Sequence, residues 1–331
     1  MAVTIRDVAK VAGVSATTVS RVYNHGELVT EETRERVRAV AKRMGYRPNV
    51  TAQSLSHGRT QTIGLIVPAP HGEFFSEIIR GIDEVTRAAD HFLLISSAHY
   101  SLSENEAAVD ALRGRVDGLL VMTTHVEAQQ ALLDGPSLEI PVVFMNSPIT
   151  DPAVHAFQIE NRRGAYEATT HLIDRGHAHI GIILGPPDSQ DVRERVAGYE
   201  TALREAGLDP ASQVVIPGDF TQASGFAAGQ KIRALDVVPD AFFCCNDYMA
   251  IGAMAALQQA GFRIPEDVAL AGFDDIPSAR YSTPPLTTVR VPVYDLGRQA
   301  AERLLTLLKA EASTAPRSQI LSSELIVRSS S

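Results

Sequence analysis

From residue 63 onward the chain alternates short, almost uninterrupted apolar runs with amphipathic stretches of helical spacing, and this alternation leaves few folds open. IGLIV at 63–67, FLLIS at 92–96, GLLVM at 118–122 and PVVFM at 141–145 read as strands, with helices expected over 77–89 and 103–113. Strands that are apolar on both faces and separated by helices require a parallel sheet covered on both sides. A second series begins near Phe157. It has helices over 163–175, 193–206, 223–235 and 248–260, and strands IGIIL (180–184), VVIP (214–217), AFFCC (241–245) and VALAGF (268–273). The expectation is an α/β core of two doubly wound parallel-sheet lobes, with ligand-binding loops at the carboxyl ends of the strands and a cleft between the lobes.

Ahead of this core lies a different pattern. In TIRDVAKVAGVSATTVSRVYN, residues 4–24, Thr4 and Asp7 are spaced as a capping box, and Ile5, Val8, Ala9 and Ala12 share one helical face. Gly13 ends that helix, Val14 forms the corner, and Ser15 caps a second helix with Val19 and Val22 facing inward. Ala16, Thr17, Ser20, Arg21 and Asn24 are left pointing outward. Small and polar side chains with one arginine suit a helix that must enter a major groove before touching a base edge. A third helix, capped by Thr30 and stopped by Gly45, carries Val37, Val40, Ala41 and Met44 inward, with Arg34, Arg38, Lys42 and Arg43 solvated or near phosphates.

Charge divides along the same line. The 331 residues carry a formal net charge of −9, yet residues 1–60 hold 10 Lys and Arg against 5 Asp and Glu. A basic head on an acidic body places polyanion contact at one end. Residues 46–62 are polar and small, a linker by composition, though 49–55 has room for about two helical turns with Ala52 and Leu55 on one side. The two cysteines, Cys244 and Cys245, are adjacent in an apolar run, which favours reduced buried thiols over a disulfide or a metal site. There is no 18-residue apolar run, and Met1 to Arg6 leads straight into a polar helix, so a cytoplasmic protein without membrane contact is expected. No Gly-x-Ser-x-Gly elbow, phosphate-loop glycine pattern, Cys-x-x-Cys or His-Glu-x-x-His occurs, and His177 and His179 read as part of a turn. An enzyme is not expected, and neither a cofactor nor a metal is called for.

The expected strand ends carry a recurring set of side chains. His71, Phe74 and Phe75 follow the first strand, Asn146 follows PVVFM, and Asp191, Arg193 and Arg195 lie at a helix start. Phe220 sits in GDF, Asn246 and Asp247 follow AFFCC, and Asp274 and Asp275 follow VALAGF. Aromatic faces with Asn, Asp and Arg suit a ring bearing hydroxyls, although each residue taken singly also serves as a cap or turn former, Asp247 above all.

TIRDVAKVAGVSATTVSRVYN, the linker RPNVTAQSL, RERVAGY at 193–199, CNDYMAIGAM at 245–254, and GFDD followed by PPLTTV at 284–289 together resemble the LacI/GalR family of bacterial transcriptional repressors across essentially the whole chain. The resemblance implies an all-α helix-turn-helix head over 1–46, a hinge over 47–61, and a bilobal core over 62–331 of periplasmic-binding-protein type. Lobe 1 would span about 62–157 plus 289–318, and lobe 2 about 158–288 plus 319–331.

It also implies a homodimer on a pseudo-palindromic double-stranded operator. Ala16, Thr17 and Arg21 would approach bases, with Thr4, Ser15, Ser20 and Asn24 beside them and Ser15 and Asn24 on phosphates. Asn49, Ala52 and Leu55 would belong to a hinge helix that forms on DNA, Leu55 acting as a minor-groove wedge. Arg195, Asn246 and Asp274 would hold the effector with Phe220 at the stacking position, and the strand-end reading adds Phe74, Phe75, Asn146, Asp191 and Arg193 to the residues expected to face it. The chain departs from the family pattern at Gly72-Glu73 and at Glu160-Asn161, and it has no tryptophan. The leading expectation is a repressor of carbohydrate-utilisation genes released by a sugar or sugar phosphate. The alternative is a corepressor of nucleobase type that strengthens DNA binding, and the remote one a sugar-binding α/β protein or enzyme.

Overall fold

The computed structural model describes residues 3–24, 26–46, 59–68, 72–98, 101–123, 140–147, 151, 153–309 and 315–331, with 127, 129, 130 and 132 between them. Asn49, Ala52 and Leu55 of the expected hinge lie outside the described residues, as does His71. The chain divides into two compact units: Met1–Thr62 with Gly114–Asp117, and Ile63–Arg113 with Gly118–Ser331.

Among its described residues the first unit contains the α-helices α1 (Ile5–Ala12), α2 (Ala16–Asn24) and α3 (Glu31–Met44). Thr4 closes a full capping box on α1: its N–H donates to Asp7 Oδ2 at 2.9 Å and its Oγ1 accepts from the Asp7 N–H at 3.4 Å. Gly13 ends the helix at φ 67°, a left-handed conformation that glycine adopts without a Cβ clash. Val8, Ala9, Ala12, Val19, Val22, Val37, Val40 and Ala41 are buried together as the core expected from their spacing. Two local expectations change. Thr30 precedes α3, but its hydroxyl bonds Thr33 Oγ1 at 3.0 Å rather than a backbone N–H. Arg34 is not a free surface cation, since its Nη1 donates to the Gly26 carbonyl at 3.1 Å and its guanidinium pairs with Glu31.

The second unit begins within β1 (Thr62–Val67) and continues through α4 (Glu73–Ala88), β2 (Phe92–Ser97), α5 (Leu102–Leu112), β3 (Gly118–Val121), β4 (Val142–Met145), β5 (His155–Ile159), α6 (Asn161–Asp174) and β6 (Ile180–Ile183). Next come α7 (Gln190–Glu205), β7 (Val215–Ile216), α8 (Gln222–Ile232), β8 (Ala241–Cys244), α9 (Asp247–Gln259), β9 (Ala269–Asp274) and α10 (Pro277–Tyr281). β10 (Thr287–Arg290), α11 (Val293–Lys309), β11 (Ser318–Leu321) and β12 (Glu324–Ile326) complete it. Two six-stranded sheets result, ordered β11-β5-β4-β3-β1-β2 and β12-β10-β9-β8-β6-β7, with β12 antiparallel to β10. The buried runs of β1, β3, β6, β8 and β9 supply the two-sided strands that a parallel sheet needs.

The lobe boundaries differ from those read off the sequence. β5 pairs with β4 through Val143↔His155 and Met145↔Phe157, so the first sheet runs to Ile159 rather than ending at 157. β10 stays in the second sheet through Arg290, and β11 pairs with β5 instead of joining the second lobe. The cause is visible in β11, where Leu321 is buried and Ile320 is 60% exposed, the alternation of an edge strand that needs an apolar neighbour on one face only. The chain therefore crosses between the lobes after β5, after β10 and after β11.

One hydrophobic cluster runs through both lobes, with Phe157, Phe242, Phe243 and Phe273 fully buried in it. α11, which follows β10 of the second sheet, packs on α4 of the first lobe through reciprocal glycines. A Cβ on Gly81 would stand 2.2 Å from the Tyr294 carbonyl oxygen, and one on Gly297 would stand 2.4 Å from that of Ile78. Only bare backbone fits at this crossing. Cys244 and Cys245 are free and buried.

Candidate functional site

On α2 of the head, Thr17 and Arg21 are exposed and Ser20 and Asn24 half-buried, so their polar groups reach solvent from one helix face. Asn24 Nδ2 donates to Ser20 Oγ at 3.2 Å. Ser15 Oγ accepts from the Thr18 N–H at 3.0 Å, which makes it the cap of this helix. Ala16, expected to face outward, is half-buried against the head's core, because it begins the turn that Val14 anchors. Thr4 is exposed, its hydroxyl engaged with Asp7 Oδ2 at 2.6 Å.

In the second unit, a cavity of about 490 Å³ opens at the carboxyl ends of the strands of both lobes. Phe74 and Phe75 line it from the start of α4, their rings edge to face at 5.2 Å, and Phe220 and Tyr248 line it from the second lobe. Asp191, Arg195, Asn246 and Asp274 complete most of the expected set. Backbone geometry is unusual at these strand ends: Asn146, Phe220 and Asp274 have φ of 42°, 70° and 115°. Such conformations in non-glycine residues cost on the order of 1–3 kcal/mol each and persist where the surroundings over-determine them.

Arg195 is the pivot. It is 3% exposed, its Nε donates to Asn161 Oδ1 at 2.9 Å, and its Nη1 donates to the Cys245 carbonyl. Nη2 stands 3.5 Å from Asp274 Oδ1, and the guanidinium carbon lies 3.8 Å from the centre of the Phe273 ring. Asp191, one turn earlier on the same face of α7, accepts from Asn146 Nδ2 at 2.9 and 3.0 Å and from Asn161 Nδ2 at 3.0 Å. Burial pushes the Asp191 carboxyl up, against the pull of Arg195 and the two amides. Burial also pushes Asp274 up to about 7, with Arg195 lowering it and Asp191 adding to the rise.

Not every expected residue touches the cavity. Asn146 is buried behind Asp191 and holds it, while its own Oδ1 accepts from the Ile159 N–H at 3.4 Å. Arg193 is exposed, its Nε donating to Gln190 Oε1 at 3.1 Å. Two positions along a helix turn a side chain by roughly 200°, so Arg193 and Arg195 cannot share a face. Asn246 lines the cavity, but it is also the cap of α9: its Oδ1 accepts from the Met249 N–H at 2.9 Å and its Nδ2 donates to the Phe220 carbonyl at 3.0 Å. The capping role considered for Asp247 therefore belongs to Asn246. Asp247 is fully buried, accepting from Thr288 Oγ1 at 2.5 Å and from the Ile276 N–H at 2.9 Å.

Three contributors escaped the sequence reading. Asn161 bridges Arg195 and Asp191, and its position after Glu160, where the family pattern is broken, was the available signal. The Tyr248 hydroxyl accepts from the Glu73 N–H at 2.7 Å, linking the lobes at the cavity rim beside Gly72. Gly72, at φ 85°, would place a Cβ 3.1 Å from that hydroxyl. Among the described residues, no cluster of three or more metal-ligating side chains occurs, and no helix is long and apolar enough to cross a membrane.

Known proteins match both units. The family of bacterial regulatory proteins, lacI family, matches residues 4–49, and the periplasmic binding protein-like domain matches residues 169–331. The HTH-type transcriptional repressor PurR of Photobacterium profundum is 36% identical over 328 residues, spanning 99% of this chain and 98% of its own. Among solved structures, the lac repressor dimer bound to operator and the anti-inducer ONPF is 29% identical with a TM-score of 0.88, covering 100% of this chain and 99% of that one. The complex of the transcriptional regulator CelR with cellobiose is 34% identical with a TM-score of 0.74, covering 99% and 100%.

Proposed function

The chain belongs to the lacI family of bacterial regulatory proteins, and from that premise we propose that it is a transcriptional repressor whose operator affinity is set by a flat, donor-bearing ring of nucleobase type bound in the interlobe cleft as a corepressor. The observation that carries the reading is the cavity wall, where aromatic rings come from both lobes beside the carboxylate of Asp274 and the amide of Asn246. Relatives named PurR, 36% identical over 99% of the chain, support the same ligand class and reverse the order in which sugar and nucleobase were expected. In this reading Thr17, Ser20 and Arg21 meet base edges, Ser15 and Asn24 meet phosphates, and Leu55 enters the minor groove from the hinge that Asn49 and Ala52 share. The active form is a homodimer. Phe92 on the edge strand β2 and Tyr281 on α10 are 73% and 79% exposed, apolar surface that a second copy would cover.

A sugar inducer is the second reading, favoured by the likeness to the CelR–cellobiose complex and by the suitability of Asp191 and Asp274 as hydroxyl acceptors. Titration of operator DNA by fluorescence anisotropy, with adenine, guanine, hypoxanthine and a panel of free sugars, separates the two. Tighter DNA binding with a nucleobase supports the first reading, and release of DNA by a sugar replaces it with the second.

A further inference from the structure

One carboxylate gathers the end of the linker. Asp117, in the turn before β3, accepts from the Thr60 N–H at 2.6 Å and the Thr60 hydroxyl at 2.9 Å on Oδ1, and from the Gln61 N–H at 2.8 Å on Oδ2. Its own N–H donates to the Thr62 carbonyl at 2.8 Å, so the two segments bond in both directions. Two successive N–H groups converge on one anion when the backbone turns out of its usual region. Gln61 does this at φ 50°, a conformation whose cost to a glutamine the charged acceptor offsets. The post itself is rigid. Val116 is 3% exposed, Gly118 pairs with Ile63 in the sheet, and a Cβ on Gly118 would stand 2.9 Å from Leu304 Cδ1. With its neighbours held on both sides, the carboxylate cannot follow the linker if the linker swings. None of Thr60, Gln61 and Asp117 is among the described residues that line the interlobe cavity, so holding an effector does not explain them.

We infer that Asp117 is a positioning residue for operator recognition: its carboxylate fixes the point and direction at which the linker enters the core, so that the chain leading to the DNA-reading helices departs from a fixed post rather than swivelling about Gln61. The role belongs to specific binding alone, because attraction to phosphates does not require the linker to leave in one direction. It is independent of the ring compound that the cleft holds.

Amide hydrogen exchange of the full chain tests the contact without DNA. The N–H groups of Thr60 and of the exposed Gln61 should exchange at least about tenfold more slowly in the wild type than in Asp117→Ala, and equal rates overturn the inference. DNA binding tests the role. On a duplex selected by the wild type from a random pool, with and without hypoxanthine and guanine, Asp117→Ala should bind about tenfold more weakly, the equivalent of one charge-assisted hydrogen bond, while affinity for random duplex stays within about twofold. Removing a negative charge would by itself raise both affinities, so the sign of the change separates the two effects. Asp117→Asn keeps an acceptor oxygen for Thr60 and loses the one for Gln61, and its loss should fall between, at about threefold. Thr62→Val takes away the hydroxyl bond to the Thr60 carbonyl at 3.1 Å but leaves the three bonds to Asp117, and should match the wild type. Equal losses on both duplexes, or no loss on the selected one, overturn the inference. Should Asp117→Ala lower the melting temperature of the core, Asp117→Asn and Thr60→Val, which remove one bond each and keep the turn, decide by the same ratio. If the pool yields no duplex, operator recognition itself falls, and the role with it.

Discussion

Glu73, in the first turn of α4, accepts hydrogen bonds from both the N–H and the hydroxyl of Ser278 on α10, at 2.9 and 2.5 Å, and so ties the first lobe to the second across 205 positions of sequence. These bonds exist only while the lobes are close. Glu73→Ala should loosen closure by about 1 kcal/mol, the scale of a partly exposed hydrogen bond, and weaken ligand binding about fivefold. Small-angle scattering of the unliganded protein would register an increased radius of gyration. An unchanged radius and affinity would mean that the contact does not hold the lobes.

Asp274 gives the unliganded protein a characteristic pH dependence. Its carboxyl has a higher proton affinity folded than unfolded, so the folded state holds the extra proton between about pH 4 and pH 7. Stability is therefore greatest at the acid end of that window and falls as pH rises through about 7, with a slope of up to about 1.4 kcal/mol per pH unit from this group. Asp247, also pushed well up by burial, contributes in the same direction. Urea unfolding of Asp274→Asn should show a shallower fall across the window, and an identical slope would place the Asp274 titration elsewhere.

Asn161→Ala removes the donor to Asp191 and the acceptor of Arg195 Nε together. Leaving a buried guanidinium nitrogen unpaired should cost about 2–3 kcal/mol of core stability and at least tenfold in ligand affinity. Operator binding without ligand reports on the head and separates this effect from general unfolding.

In the head, Arg21→Ala should leave the melting of the helices unchanged, because the side chain is exposed. It should lower operator affinity by about 1–3 kcal/mol if it reads a base, and relax discrimination at one operator position. Equal losses on operator and random duplex would assign Arg21 to phosphate instead.

The two cysteines should be inert to thiol reagents in the native protein, since both are fully buried and Cys245 is pushed up to about 12 by burial. Reaction with a disulfide reagent should report global unfolding, and rapid native modification would contradict the buried geometry.

Much of this was legible from residue pattern because it depends on short spacings. The capping box of Thr4 and Asp7, the buried face of Val8, Ala12, Val19 and Val22, and the two-sided strands are all local periodicities. Asp191 and Arg195 could be found together because four positions on a helix bring side chains to one face. The same spacing rule turns Arg193, midway between them, away from the cavity. The Glu73–Ser278 and Glu73–Tyr248 contacts join residues 205 and 175 apart, and no spacing rule reaches that far. The dual engagement of Asn246 was hidden for another reason: an asparagine after a strand looks alike whether it caps a helix or faces a ligand.

The triple crossing between lobes also governs how the protein is made. The first sheet lacks its outer strand until Ser318–Leu321 has been synthesised, and α11, which covers α4, is separated from it in sequence by every strand of the second sheet except β12. Neither lobe can finish on the ribosome while the other waits, so closure of both is a late and shared event with high contact order. A nascent chain stopped before residue 318 would carry β5 with one neighbour missing, an open strand edge available to other chains. Truncations between the lobes should thus aggregate rather than yield a working half.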